Sequence, residues 1–560
     1  MKKNRRNHQE IAPDEIFLDS SNLPDYDNNQ FEGRIEKPIG RKVLLTLTVF
    51  FIVLMASYIG RIWFLQIKNG QVFADKSQNN ALQNTLVFAS RGVVSDRNGV
   101  PLIWNEFSGT NTDYAYRKYT DLSGMSLLLG YIKYPKKDKS GFYYNTEYDG
   151  KDGVEKYFND DLSGENGLKI TETDATGKVQ SESVVKPPKN GNNLTLSIDS
   201  RIQQSLYNII ATNSMSSGFQ GGAGVIMDVH TGEMVAMVSF PEYDSQTMTD
   251  GSNVSAINGY FKNKNNPFLD RVTGGLYTPG SIIKPYVALA ALQEKIIDPN
   301  KQIHTIGYIS VPNPYDPTHP SIFKDWQNQG DVDMRKAIAE SSDVYFYEVG
   351  GGYQGQVGLG INNIEKYVRT FGFGEAFTGI FAGPKGTIPN AEWKKENFNG
   401  EDWRIGDTYH TAIGQYGFQV TPLQAVRAVA SLSNNGILLQ PTLIHNDPRE
   451  SSTLRHNDAI TDPADYEIVR EGMRQGVLNG VAKALNISDV EVAAKTGTAQ
   501  LGLHNEFVNS WVTGFFPYKN PNYAFAIVME KGPVHYAIGA PGVMGQMLLW
   551  MGKNTPEYFK

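Results

Sequence analysis

Cysteine is missing from all 560 residues. That excludes disulfides and thiolate metal sites. An excess of positive charge is missing too. Net charge is −7, and no stripe of Arg and Lys with interleaved aromatics occurs, so nothing points to nucleic acid as a partner. No internal repeat with a period of about 20 to 50 residues is found, which argues against solenoids and propellers. Long hydrophobic runs are missing with one exception, Val43 to Gly60, an uncharged apolar stretch that Ile62-Trp-Phe-Leu65 extends past Arg61. Roughly 20 such residues span a bilayer. No small-residue cleavage site follows, so the run is expected to be an uncleaved anchor. Arg34, Lys37, Arg41 and Lys42 stand just before it. Positive charge on that side predicts a cytoplasmic N-terminus, with everything after about residue 68 outside the cell membrane.

The remaining composition is that of a globular protein, with 40% hydrophobic and 20% charged residues. Four segments are expected. Residues 1–42 are polar and charged and read as a disordered cytoplasmic tail. Residues 43–67 form the transmembrane anchor. Residues 68–190 are rich in Tyr, Asn, Asp, Gly and Lys, a pattern of short strands and loops. Pro187-Pro188-Lys-Asn-Gly191 marks the next boundary, and 191–560 form the largest domain. There, Leu194 to Ile198 reads as a strand and Arg201 to Thr212 as a helix. Ala223 to Asp228 and Met234 to Val238 flank His230-Thr-Gly232 as a hairpin. Leu423 to Leu432 reads as a helix. Val490 to Ala494, Trp511 to Phe516 and Tyr523 to Met529 read as late strands. The fold class is α+β, with one sheet assembled from both ends of the domain. The glycines from Gly350 to Gly360 lack the context of a phosphate cradle and are expected to form a loop.

Ser281 and Lys284 carry the chemistry, in Tyr277-Thr-Pro-Gly-Ser-Ile-Ile-Lys-Pro285. Residues three apart share a helix face. A serine hydroxyl needs an adjacent base to become a nucleophile, and a desolvated lysine can be that base. Pro279-Gly280 are expected to place Ser281 at a helix start, where its N–H is free for a ligand. Alone the pair is weak. Ser341-Ser342-Asp343 and Lys495-Thr496-Gly497-Thr498 follow in order, and S-x-x-K, S-x-N and K-T-G form a signature set of active-site serine enzymes.

On these motifs the chain resembles a class B penicillin-binding protein of the elongation type. Arg91-Gly-Val-Val-Ser-Asp-Arg-Asn-Gly99, Gly150-Lys-Asp-Gly-Val-Glu-Lys-Tyr157, Gly406-Asp-Thr408, Ala412-Ile-Gly-Gln415 and Val420-Thr-Pro-Leu-Gln424 add to the resemblance. It implies a β-rich pedestal at 68–190 and a transpeptidase domain, an antiparallel sheet flanked by helices, at 191–560. It implies a peptidoglycan D,D-transpeptidase that cross-links stem peptides ending in D-Ala-D-Ala and is trapped by β-lactams. Ser281 would be the nucleophile, Lys284 its base and Ser341 a proton relay. Thr496, Gly497 and Thr498 would bind substrate, with Lys495 facing its carboxylate and Gly497 letting its backbone approach the strand. The N–H groups of Ser281 and Thr498 would form an oxyanion hole. Partners implied are a SEDS-family glycosyltransferase and other elongation-complex proteins.

Three departures matter. Position 343 is Asp where most of the superfamily has Asn, and its charge favours a protonated Lys284. No E-x-x-L-N follows the second motif. Glu375 stands at a roughly suitable distance, but its surroundings do not match, so a waiting acyl-enzyme is expected rather than a β-lactamase. Some relatives hold zinc through a Cys. Here there is none, Asp325 to Asp333 lacks the family's His-Gly pair, and His319, Asp316, Asp325 and Asp331 show no ligand spacing. No metal or other cofactor is expected. The alternatives are a non-enzymatic β-lactam sensor, an activator of the polymerase, or a D,D-carboxypeptidase.

Overall fold

The computed structural model describes residues 40–73, 82–107, 113–173, 179–313, 316–446, 455–456, 462–502 and 504–560. Most of the expected tail, with Arg34 and Lys37, lies outside them. Contacts divide the chain into two units, Met1–Asn84 with Ile170–Glu182, and Thr85–Lys169 with Ser183–Lys560. The first unit carries α1 (Arg41–Trp63), which continues through a wider turn at Phe64–Lys68. This 28-residue helix has a mean hydropathy of 2.3 in its most apolar window and buries none of it against protein. That is what a bilayer-facing helix requires. Among the described residues it is the one helix long and apolar enough to cross a membrane.

In the second unit, residues 85–169 group with 183–560. Their sheet contains β1 (Val94–Ser95), β2 (Pro101–Glu106) and β3 (Tyr116–Tyr119), and β4 (Leu194–Thr195) joins β1 in parallel. The expected strand at 194–198 is therefore shorter than its apolar pattern suggests. Beside this sheet lies a buried ionic group. Glu155 accepts from Arg91 Nε at 2.6 Å and from Arg117 Nε at 2.7 Å, with all three side chains fully buried. Asn105 ties the two arginines together, donating to the Arg91 carbonyl at 2.6 Å and accepting from Arg117 Nη1 at 2.9 Å. Arg91 and Glu155 come from the two segments that flag the family in this region.

The large domain is built on a five-stranded antiparallel sheet. Its order is β6 (Met234–Phe240), β5 (Gly221–Asp228), β9 (Tyr523–Pro533), β8 (Phe507–Phe516), β7 (Ala493–Leu501). Early and late strands meet where β5 pairs β9, from Gly221 opposite Glu530 to Asp228 opposite Tyr523. Both faces are covered, so the strands read as almost unbroken apolar runs. Alternation still sorts the side chains. Phe525, Ile527 and Met529 pack with α2 (Ser200–Ser217) and the C-terminal helix Ala540–Asn554, whereas Ala524, Ala526 and Val528 join the core around the central helices. Four of those helices position the site: α3 (Lys284–Gln293), α4 (Met334–Glu340), α5 (Asp343–Gly351) and α6 (Ile405–Ala412). Gly350 and Gly351 end α5 and Gly360 opens the next helix, so only 352–359 of the expected glycine loop is irregular.

Candidate active site

The turn that carries Ser281 is held at nearly every residue. Tyr277 exchanges two backbone hydrogen bonds of 3.0 Å with Val420. The Trp511 indole donates to the Thr278 carbonyl at 3.0 Å. Gly280 adopts φ +57°, a conformation that suits glycine. Its N–H donates to the Gly414 carbonyl at 3.0 Å. Gly414 lies so close that a Cβ there would come within 2.2 Å of the Gly280 carbonyl oxygen. The stretches around Val420 and Gly414 that flag the family are thus scaffolding for the serine turn. Gly406-Asp-Thr408 has a similar role. Asp407 accepts from the Arg404 N–H at 2.7 Å and from Lys394 Nζ at 2.6 Å, fixing the start of α6.

Ser281 itself sits on a 3-10 turn, Gly280–Ile283, and α3 begins at Lys284. The expected single helix start is thus two elements, and the tighter turn brings residues three apart almost into eclipse. The Ser281 hydroxyl is half-buried and makes no hydrogen bond to another described residue. Lys284 is fully buried. Its Nζ donates to the Ser341 carbonyl at 2.7 Å and to Asp343 Oδ1 at 2.6 Å, and lies 3.3 Å from Ser341 Oγ. Lys495 Nζ reaches the same hydroxyl at 2.8 Å and the Thr496 carbonyl at 2.9 Å. Lys495, Ser341, Lys284 and Asp343 therefore form one continuous chain.

Electrostatics differ along it. Burial, reinforced by the neighbouring Lys284 charge, pushes the Lys495 ammonium well below the usual lysine range, and Asp343 only partly opposes this. Burial raises the Asp343 carboxyl, against the lysine beside it.

Ser341-Ser342-Asp343 is both a capping turn and part of the site. Ser341 takes a left-handed conformation, φ 59° and ψ 41°, ending α4. Ser342 caps α5, accepting from the Tyr345 N–H at 3.3 Å. Lys495-Thr-Gly lies within β7, at the sheet's edge, rather than after a strand. Thr496, Thr498 and Gln500 share the more open face. Gly497 is buried, and a Cβ there would meet the Pro279 carbonyl at 2.8 Å. The absence of a side chain there admits the serine turn.

A cleft of about 1010 Å³ opens over Ser281, Ser341, Asp343, Thr496, Gly497 and Thr498. Its far wall holds Trp326, Tyr347 and His410, which sequence reasoning missed, and Asp325, which it weighed only as a metal ligand. Burial pushes the His410 imidazole below its usual range, toward the neutral form. Glu375 pairs with Arg427 Nη1 at 2.7 Å and is not among the residues lining the cleft. The donor set does not fit zinc. Asp325 is engaged by Ser342 and Val344, while Asp316 pairs with His319 and Asp331 with His304 on the surface. Among the described residues no three His, Asp or Glu side chains converge.

A mixed sheet-and-helix domain with these three motifs on one cleft defines a penicillin-binding type of serine acyltransferase. The chain belongs to the penicillin-binding protein transpeptidase domain family, whose model matches residues 222–542, and the penicillin-binding protein dimerisation domain matches 105–196. It is 31% identical to the peptidoglycan D,D-transpeptidase MrdA of Haemophilus influenzae, over 80% of this chain and 71% of that one. Two solved structures are similar, each with a TM-score of 0.69. One is penicillin-binding protein 2 of Helicobacter pylori in complex with MreC, 26% identical, covering 85% of this chain and 99% of that one. The other is penicillin-binding protein 2 of Pseudomonas aeruginosa in complex with WCK 5153, 28% identical, covering 85% and 98%.

Proposed function

We propose that this chain cross-links peptidoglycan as a D,D-transpeptidase through an acyl-enzyme on Ser281. The observation that carries this reading is the chain Lys495–Ser341–Lys284–Asp343, whose Ser341 and Asp343 open onto the same cleft as Ser281. Ser281 Oγ attacks the carbonyl carbon between the two D-Ala residues of a stem peptide. Its proton passes to Lys284 as Lys284 gives one through Ser341 to Lys495, the amine that burial favours as neutral. The C–N bond breaks, and the terminal D-Ala amine leaves with the proton returned from Ser341. An amine of a second stem then attacks the ester, the C–O bond breaks, and Ser281 regains its proton. The N–H groups of Ser281 and Thr498 hold the oxyanion, with donors of this kind contributing roughly 3 kcal/mol each. Thr496, Thr498 and Lys495 bind the terminal carboxylate. The substrate lies along the free edge of β7 as an added strand.

α1 anchors the enzyme, with residues 1–42 cytoplasmic and the catalytic domain from about 191 outside the membrane. A SEDS-family polymerase and other elongation proteins are the partners, a reading supported by the relative solved with MreC. The test is fluorescent penicillin labelling of membranes. Wild type should label covalently and Ser281→Ala should not. Labelling that survives the substitution would remove Ser281 from the chemistry.

A further inference from the structure

Ser341 is the shared partner of both lysines, yet it occupies a backbone conformation that a residue with a side chain adopts at a cost of roughly 1–2 kcal/mol. Such a conformation persists only where its surroundings over-determine it. From the α4 side the turn is closed by local bonds, Ser341 N–H to the Ile338 carbonyl at 3.3 Å and Ser342 N–H to the Ala337 carbonyl at 3.0 Å. Lys284 and Lys495 hold Ser341 and Asp343 from the site's side, and the remaining long-range bonds to the turn come from one distant segment, residues 325–329. Asp325 Oδ2 accepts from Ser342 Oγ and from the Val344 N–H, each at 2.9 Å. The second bond satisfies a free N–H in the first turn of α5, where a carboxylate is also favoured by the helix dipole. On the other side of the turn, the Trp326 indole donates to the Glu340 carbonyl at 3.2 Å, and Gln329 Nε2 reaches the same oxygen at 3.4 Å. The segment is itself fixed, by Asp325 N–H to the Gly307 carbonyl and Trp326 N–H to Asp325 Oδ1, both 2.8 Å.

We infer that Asp325 is a positioning residue of the active site, which clamps the turn from Ser342 to Val344 so that Ser341 and Asp343 meet Lys284 and Lys495 in register. The clamp spans the end of α4 and the start of α5 and needs no bound metal. Although Asp325 lines the cleft, the clamp itself is made by its Oδ2, which is engaged on the turn. Its loss therefore acts on the chemical step, because proton transfer depends on the alignment of Ser341 between two amines. A displacement of about 1 Å in such a constellation costs on the order of 100-fold.

This inference rests on the acyl-enzyme reading above. The experiment resolves penicillin acylation of the full-length, detergent-solubilised protein into a pre-acylation dissociation constant and a first-order acylation constant, with thermal melting recorded beside them. Asp325→Ala should lower the acylation constant by about 10- to 100-fold while the dissociation constant stays within about twofold. Asp325→Asn should recover most of the rate, because its carbonyl oxygen can still accept from Ser342 and Val344. Ser342→Ala alone should give a smaller loss, and adding it to Asp325→Ala should cost less than about twofold more, since the two act as one unit. A folded Asp325→Ala with the wild-type acylation constant would overturn the inference. So would a loss confined to the dissociation constant, or an Asp325→Asn as slow as Asp325→Ala. Wild-type protein that is never acylated would overturn the parent reading, and the inference with it.

Discussion

Two buried polar groups in the large unit have the same make-up, two basic side chains and one carboxylate, and opposite uses. Near the pedestal sheet, two arginines enclose Glu155. In the cleft, two lysines flank Ser341 and Asp343. Each sets two basic side chains against one carboxylate. The pedestal group cannot change its protonation, because a guanidinium keeps its proton at any ordinary pH. Glu155 is held below the usual carboxylate range by both guanidiniums, against the upward push of burial. The cleft group can change, because a buried lysine shifts readily, and Lys495 is shifted far down. Arginine makes a joint of such a cluster and lysine makes a proton relay. The difference also shows in access. The pedestal group is sealed, whereas Ser341 and Asp343 line a cleft.

The sharpest way to break this contrast is to put a fixed charge in the relay. Lys284→Arg keeps a cation beside Asp343 but removes the group that exchanges protons, so acylation by penicillin should fall by about 10²- to 10⁴-fold. Stopped-flow or gel-based labelling would show it, and a near-normal rate would move the base elsewhere. The complementary change is Glu155→Gln. Two buried guanidiniums would lose their counter-charge, and stability should fall by about 3–5 kcal/mol in denaturant titration. The fraction that remains folded should still acylate within about twofold of wild type. A large acylation defect in that fraction would tie the two clusters together. A subtler change is Asp343→Asn. Asp343 is the neighbour that favours the protonated form of Lys495. Without its charge the lysine falls further, the neutral amine persists to lower pH, and the acid limb of the acylation profile should move down. A limb that moves up would assign the controlling ionisation to another group. The smallest expected effect is none at all. Treatment with a chelator should leave acylation and melting unchanged, because Asp325, Asp316 and Asp331 already have hydrogen-bonded partners.

What was legible in the sequence was what short patterns encode. The three motifs, the apolar helix, α2, the β5–β6 hairpin and a sheet drawn from both ends of the domain all follow from local periodicity and order. The late strands were placed too early or cut short, because Lys495, Thr496 and Gly497 are polar or small and interrupt the apolar signal of β7. The cleft's far wall was not legible. Asp325 and His410 carry no motif of their own, and Asp325 meets its partner Ser342 from 17 positions away. The preference for a neutral amine at Lys495 was also hidden, because it arises from complete burial beside a second lysine and not from spacing.

The pairing of β5 with β9 sets the order in which this enzyme can be made. Gly221 lies opposite Glu530, 309 positions later. Contacts so distant in sequence form slowly, since a long loop must close before any of them is gained. As the chain is made, the β5–β6 hairpin emerges early, with one long side unpaired. It must wait for almost the entire remaining domain before β9 covers that side. An unpaired apolar strand is a template for the wrong partner. The interval before β9 arrives, more than the finished fold, is therefore when this protein is most exposed to misassembly, and when a holding factor would matter most.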